Sequence, residues 1–128
     1  MKLLKEYTLE VKKSKFIGLA YEVNSVDEVK DILEELKKEH KKARHLPYAY
    51  KIGPQVKKTD DKEPSNTAGT PIYNIIDKKN LDNILVVVIR YFGGIKLGAG
   101  GLFRAYSNAA SEVTNKDWFT CTHGINKN

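Results

Sequence analysis

"NILVVVIRYFGGIKLGAGGLFRAYSNAASEV", residues 83–113, decides how this chain folds. Its first half is a continuous apolar run of strand length, rich in β-branched residues. That predicts a central strand covered on at least one face. In its second half Leu102, Ala105, Ala109 and Val113 recur at helical spacing, which predicts a helix starting near Gly98 to Gly101. Five of the nine glycines of the chain lie at this junction, with Arg90, Lys96 and Arg104 among and beside them. No Asp or Glu occurs from Asn83 to Ser111.

Working outward, Leu3, Tyr7, Leu9 and Val11 alternate with Glu6, Thr8 and Glu10, and Ile17, Leu19, Tyr21 and Val23 alternate again. Two half-buried strands follow, paired as a hairpin with its turn near Lys12 to Lys15. "SVDE" then has the form of a capping box, Ser25 with Glu28 three residues on. It opens a helix whose inner face is Val29, Ile32, Leu33 and Leu36. "HLPYAYKIG" predicts a third strand, with Leu46, Tyr48, Tyr50 and Ile52 on one face. Residues 54–66 are polar and bounded by prolines, so a loop is expected there. Thr67 is placed to cap a short helix with Ile72, Ile75 and Ile76 inward. Pro71 falls in its first turn, where proline is tolerated. The order is β-β-α-β-α-β-α: an α+β two-layer sandwich with the helices on one face of the sheet.

The 128 residues suit one domain, assigned to 1–117, with an unassigned tail at 118–128. Hydrophobic residues at 41% and charged residues at 30% are those of a soluble globular protein and argue against a disordered chain. The single Cys121 excludes an intrachain disulfide and points to a reducing compartment. No CxxC or paired Cys/His spacing offers a structural zinc site. The N-terminus lacks the apolar core of a signal peptide, and no apolar run reaches the length of a membrane span. A cytoplasmic protein without membrane contact is expected. The net charge of +6 is compatible with a polyanionic partner.

The glycine cluster fails the tests for both nucleotide loops. Gly93 and Gly98 have Walker A separation, but Ala99 and Gly100 stand where Lys and Ser/Thr belong. Gly98 and Gly100 begin a Rossmann fingerprint, but Phe103 occupies the third glycine position. Two readings remain. In one, backbone N–H groups at a helix start cradle a phosphate, using Arg90, Gly93, Gly94, Lys96, Gly98, Gly100, Gly101 and Arg104, with all three cations on one anion. In the other, Gly93 and Gly94 take positive φ, and Gly100 and Gly101 let the helix pack tightly. Asp60, Asp61 and Glu63 form an acidic knot in the long loop. They suit Mg²⁺ if a phosphate completes its shell; otherwise they cap turns or pair with Lys57, Lys58 and Lys62. No other cofactor is implied and no catalytic residue is assigned. Tyr48, Tyr50, Tyr91 and Phe92 offer rings for base stacking or for core packing.

"VVVIRYFGGIKLGAGGLFRAYSNAASE" resembles the hallmark segment of the IMPACT family in its prokaryotic YigZ-type branch. "KKSKFIG" at 12–18, "ARHLPYAYKIG" at 43–53 and "DDKEPSNTAGTPI" at 60–72 extend the resemblance over residues 12 to 115. It implies a fold like domain 2 of ribosomal protein S5, shared with a domain of elongation factor G and with kinases of the GHMP type. It also implies that His45 lies near the acidic loop. Lys62 and Asn66 replace the two glycines of the family's usual "DDGEPSGTAG", and Lys62 is the less comfortable change if that position needs positive φ. YigZ-type proteins carry a second, ferredoxin-like domain, which would begin about where this chain ends. Eukaryotic members regulate translation. The favoured function is an RNA- or ribosome-binding module linked to regulation of translation. The alternatives are an enzyme acting on a phosphorylated small molecule at the helix N-terminus, and a regulator that binds a protein of the translation machinery.

Overall fold

The computed structural model describes residues 2–115. Residues 118–128 and Cys121 lie outside the described residues, and with them the tail and thiol considered above. The elements are β1 (Lys2–Val11), β2 (Ser14–Glu22), α1 (Val26–Glu39), β3 (Tyr48–Ile52), β4 (Gln55–Thr59), α2 (Gly69–Lys78), β5 (Ile84–Tyr91) and α3 (Gly98–Val113). The strands form one sheet in the order β1-β2-β5-β3-β4, and every neighbouring pair is antiparallel. The apolar run is the central strand: β5 is buried from Ile84 through Arg90.

The α+β class is as expected, with two differences in the arrangement. Residues 55–59, within the loop expected over 54–66, form β4. This strand hydrogen-bonds to β3 at the outer edge of the sheet and exposes Gln55 through Lys58, so burial leaves no apolar alternation in its sequence. The helices also occupy both faces rather than one. Ile84, Val86 and Val88 of β5 pack with α2 and α3, whereas Leu85, Val87 and Ile89 pack with α1. Successive strand side chains point to opposite faces, so α1 lies across the sheet from α2 and α3. Each helix turns the expected face inward: Val29, Ile32, Leu33 and Leu36 in α1; Ile72 and Ile76 in α2, with Ile75 only half-buried; Leu102, Ala105, Ala109 and Val113 in α3.

The hairpin joining β1 and β2 turns on two residues, Lys12 (φ 48°) and Lys13 (φ 69°). Positive φ at both central positions is the backbone of a type I′ turn, which Asn-Gly fits best. A register shift between Leu3 and Lys5 moves the phase of β1. Leu4 therefore packs against the core in the place expected of Leu3, which is 47% exposed.

Ser25 caps α1 by accepting from the Glu28 backbone N–H at 3.2 Å, while Glu28 reaches back to the Asn24 N–H at 2.6 Å. The return bond falls one residue before the usual capping-box position. Thr67 does not cap α2. Its hydroxyl donates to the Pro64 carbonyl at 2.6 Å, and the cap comes from Asp60.

Candidate functional site

The C-terminal end of β5 and the start of α3 meet the "DDKE" turn in an open cleft of about 380 Å³. Arg44, His45, Lys62, Glu63, Arg90 and Phe92 line one part of it; Lys96, Leu97, Gly98 and Ala99 line the other. Asp60 to Glu63 is a tight turn, closed by the Glu63 N–H donating to the Asp60 carbonyl at 3.0 Å. Asp61 (φ 46°) and Lys62 (φ 72°) both sit in the left-handed region. Position 62 thus does require positive φ, and a lysine occupies it.

The three acids of this turn are all committed within the fold. Asp60 accepts from the backbone N–H groups of Asn66 at 2.9 Å, Ala68 at 3.2 Å and Gly69 at 2.8 Å, and so caps α2 from outside the helix. Asp61 accepts from the Leu46 N–H at 2.7 Å. Glu63 is buried and takes two bonds from Arg90 Nη1, at 2.8 and 3.0 Å, plus a short one from the Tyr106 hydroxyl. His45 Nε2 stands 3.6 Å from the same carboxylate. Burial, and then the neighbouring Glu63 carboxylate, push the Tyr106 phenol far above its ordinary range, so Tyr106 stays a donor. Among the described residues no three His, Cys, Asp or Glu side chains come together as a metal centre. The acids are thus turn and ion-pair groups, and they do not fit the Mg²⁺ site considered from sequence.

Arg90 is the floor of the cleft. It pairs in antiparallel fashion with His45 through the backbone, and its side chain is 7% exposed. Its guanidinium lies 5.7 Å from the Phe16 ring centroid and 5.5 Å from that of Phe92. Its Nε is buried with no hydrogen-bond partner. The charge of Arg90 is neutralised by Glu63, so the free cations of the cleft are others: Lys62 and Lys96 have no ion pair among the described residues, and Arg44 stacks 4.5 Å over Phe92.

The three cations noted at the junction do not converge on one point. Arg90 and Lys96 line this cleft, whereas Arg104 lines an adjoining one on the other flank of α3. The glycines divide in the same way. A Cβ at Gly93 would come 2.0 Å from the Lys13 carbonyl oxygen, so that glycine is there for close packing on the hairpin. Gly94 and Gly98 have positive φ. Gly101 is pressed by Leu97, where a Cβ would lie 3.1 Å from the Leu97 Cβ. Gly100 is exposed, and a Cβ there would meet only the tip of Arg104 at 4.0 Å, so packing does not require it. Alanine would favour the helix by about 1 kcal/mol at such a position. The first turn of α3 has no side-chain cap and no acidic residue. Its N–H groups carry the positive end of the helix dipole toward solvent.

Of the four rings considered for stacking, only Phe92, 37% exposed, lines the cleft. Tyr48, Tyr50 and Tyr91 pack on the α1 side, and the Tyr91 hydroxyl bonds His40 Nδ1 at 2.5 Å. Sequence reasoning did not single out Arg44 or Tyr106. Tyr106 had a signal available: a cation at the end of a fully apolar strand demands a buried counterion, and that counterion demands further donors.

The family model of the Impact N-terminal domain matches residues 12–114, and thus β2 to β5, the turn and the cleft together. The chain belongs to the IMPACT family. It is 43% identical over 113 residues to the IMPACT family member YvyE of Bacillus subtilis (strain 168), an alignment covering 86% of this chain and 52% of that protein. A crystal structure of a hypothetical protein superposes with a TM-score of 0.85 at 33% identity, over 90% of this chain and 58% of that one. The two-domain translational regulator Yih1 superposes with a TM-score of 0.52 at 25% identity, over 88% of this chain and 45% of that one. The chain spans about half the length of the curated relatives it matches. Among the described residues no helix is long and apolar enough to cross a membrane.

Proposed function

We propose that this IMPACT domain is a non-enzymatic module that binds RNA of the translation machinery, ribosomal RNA foremost, and so takes part in regulating translation in the cytoplasm. One observation carries the reading: the uncapped first turn of α3 opens into the same cleft as Arg44, Lys62 and Lys96, none of which has a carboxylate partner among the described residues. A backbone phosphate set there meets N–H donors, the helix dipole and mobile cations at once. Phe92, with the Arg44 guanidinium across its ring, offers a planar surface for an unstacked base. The likeness to the translational regulator Yih1 supports the setting. The alternative of an enzyme acting on a phosphorylated small molecule has less support, because Asp60, Asp61 and Glu63 are all engaged by the protein itself.

The test is titration of labelled single-stranded RNA at two salt concentrations with wild type and Lys96→Ala. Wild-type binding should weaken steeply with salt, and Lys96→Ala should bind more weakly with a log–log slope shallower by roughly 0.7. Equal, weak and salt-insensitive binding by both proteins sinks the proposal.

A further inference from the structure

Seven non-glycine residues have positive φ among those described: Lys12, Lys13, Asp61, Lys62, Asn66, Asn80 and Asn83. Four of them are Asn or Asp, the types that tolerate this backbone. The three that are not are lysines. Lys62 lines the cleft already described. Lys12 lines a second one, about 170 Å³, on the opposite flank of α3, and Lys13 completes the same turn. Long cationic side chains thus occupy turn positions where Asn or Gly would hold the fold better.

The second cleft lies between the hairpin turn and the outer side of α3, lined by Val11, Lys12, Leu97, Gly101, Arg104 and Asn108 among others. Lys12 and Arg104 have no ion pair among the described residues, and Asn108 lies one turn beyond Arg104 on the same helix face. Glu112, one further turn on, is the first acid on that face. Leu97 lines both clefts and forms the ridge between them. The turn is held against the end of β5, where the Gly93 N–H donates to Ser14 Oγ at 3.2 Å and Gly93 lies directly against the Lys13 carbonyl.

We infer that Lys12, Arg104 and Asn108 form a second phosphate subsite, so that one nucleic-acid strand straddles the first turn of α3 with a phosphate on each side of Leu97. The inference rests on the phosphate reading of the first cleft and extends it from one contact to a path. It assigns the left-handed lysines a role: Lys62 serves the first phosphate and Lys12 the second.

The experiment replaces the turn with its most compatible sequence, Lys12→Asn with Lys13→Gly, beside Arg104→Gln and Lys96→Ala. Each protein is titrated with a labelled single-stranded RNA of about ten nucleotides and, separately, with adenosine 5′-monophosphate. The turn variant should melt at a higher temperature than wild type. It should nonetheless bind the oligonucleotide on the order of fivefold more weakly, with a log–log salt slope shallower by roughly 0.7 per lost contact. Its affinity for the mononucleotide should be that of wild type. Arg104→Gln should reproduce this split, and Lys96→Ala should weaken both ligands. A more stable turn variant with wild-type oligonucleotide affinity and slope overturns the second subsite while the first stands. Equal loss for both ligands overturns it as well, since the turn then acts through the first cleft. Failure of wild type to bind either probe overturns the two readings together.

Discussion

The N-termini of α2 and α3 are treated in opposite ways by the same fold. That of α2 is buried at Ala68 and Gly69 and receives the Asp60 carboxylate, which joins it to the preceding turn. That of α3 is exposed, has no cap and has no acid in its first turn. One tetrapeptide, Asp60-Asp61-Lys62-Glu63, serves both ends. It gives α2 an anion, and it gives the α3 cleft a cation at its rim and a salt-bridged arginine as its floor. The α2 end is closed with a carboxylate; the α3 end has none of its own, and the proposed phosphate takes that place.

The largest effect should come from the group linking the two regions. Glu63→Gln leaves Arg90 charged and buried without its counterion, which should cost about 3–5 kcal/mol in denaturant unfolding. An unchanged midpoint would mean that Arg90 escapes to solvent and that the cleft has no fixed floor.

Next comes an alkaline limit. The Tyr106 phenol titrates well above its unfolded value in the native state, so its contribution is fully present below about pH 10 and is lost as pH rises beyond it. Stability should fall there with a slope of up to about 1.4 kcal/mol per pH unit from this residue. Tyr106→Phe should flatten the decline, as followed by chemical denaturation between pH 8 and 11.

Asp60→Ala should cost about 1–2 kcal/mol by freeing the N–H groups at the start of α2. It should leave RNA affinity intact, because α3 does not depend on it. If RNA binding falls in step with stability, the two helix ends are not separable.

The smallest effect is the sharpest test of the contrast. Ala99→Asp gives α3 the acid that its first turn lacks. It should stabilise the domain by about 0.3–1 kcal/mol and abolish RNA retention at moderate salt. Retention by this variant would place the bound phosphate elsewhere.

Much of the fold was legible because burial writes a period into the sequence. The inner faces of α1 and α3 follow from that period, and β5 from an unbroken apolar run of strand length. Strand β4 was not legible, since an edge strand with every residue from Gln55 to Lys58 exposed carries no apolar alternation. Nor does a helical period say which side of the sheet a helix covers, so the sequence predicts all three helices on one face where α1 lies opposite the other two. The site was legible as a collection of residues and illegible as a circuit. Arg90 meets Glu63 across 27 positions, and Tyr106 meets it across 43. Asp60 caps a helix that starts nine residues later. No local spacing marks such partners.

The placement of β5 has a consequence in time. It is paired on both sides, covered on both faces and buried to its last arginine. Its amide protons, from Val86 to Ile89, should exchange with solvent deuterium only when the whole domain opens. A few residues along the chain, the amides of Gly98 to Gly100 lie in the exposed first turn of α3 with no side-chain cap, and should exchange far faster. The cleft thus joins the end of a slow clock to a fast one, and a bound phosphate would be seen first as the fast clock slowing down.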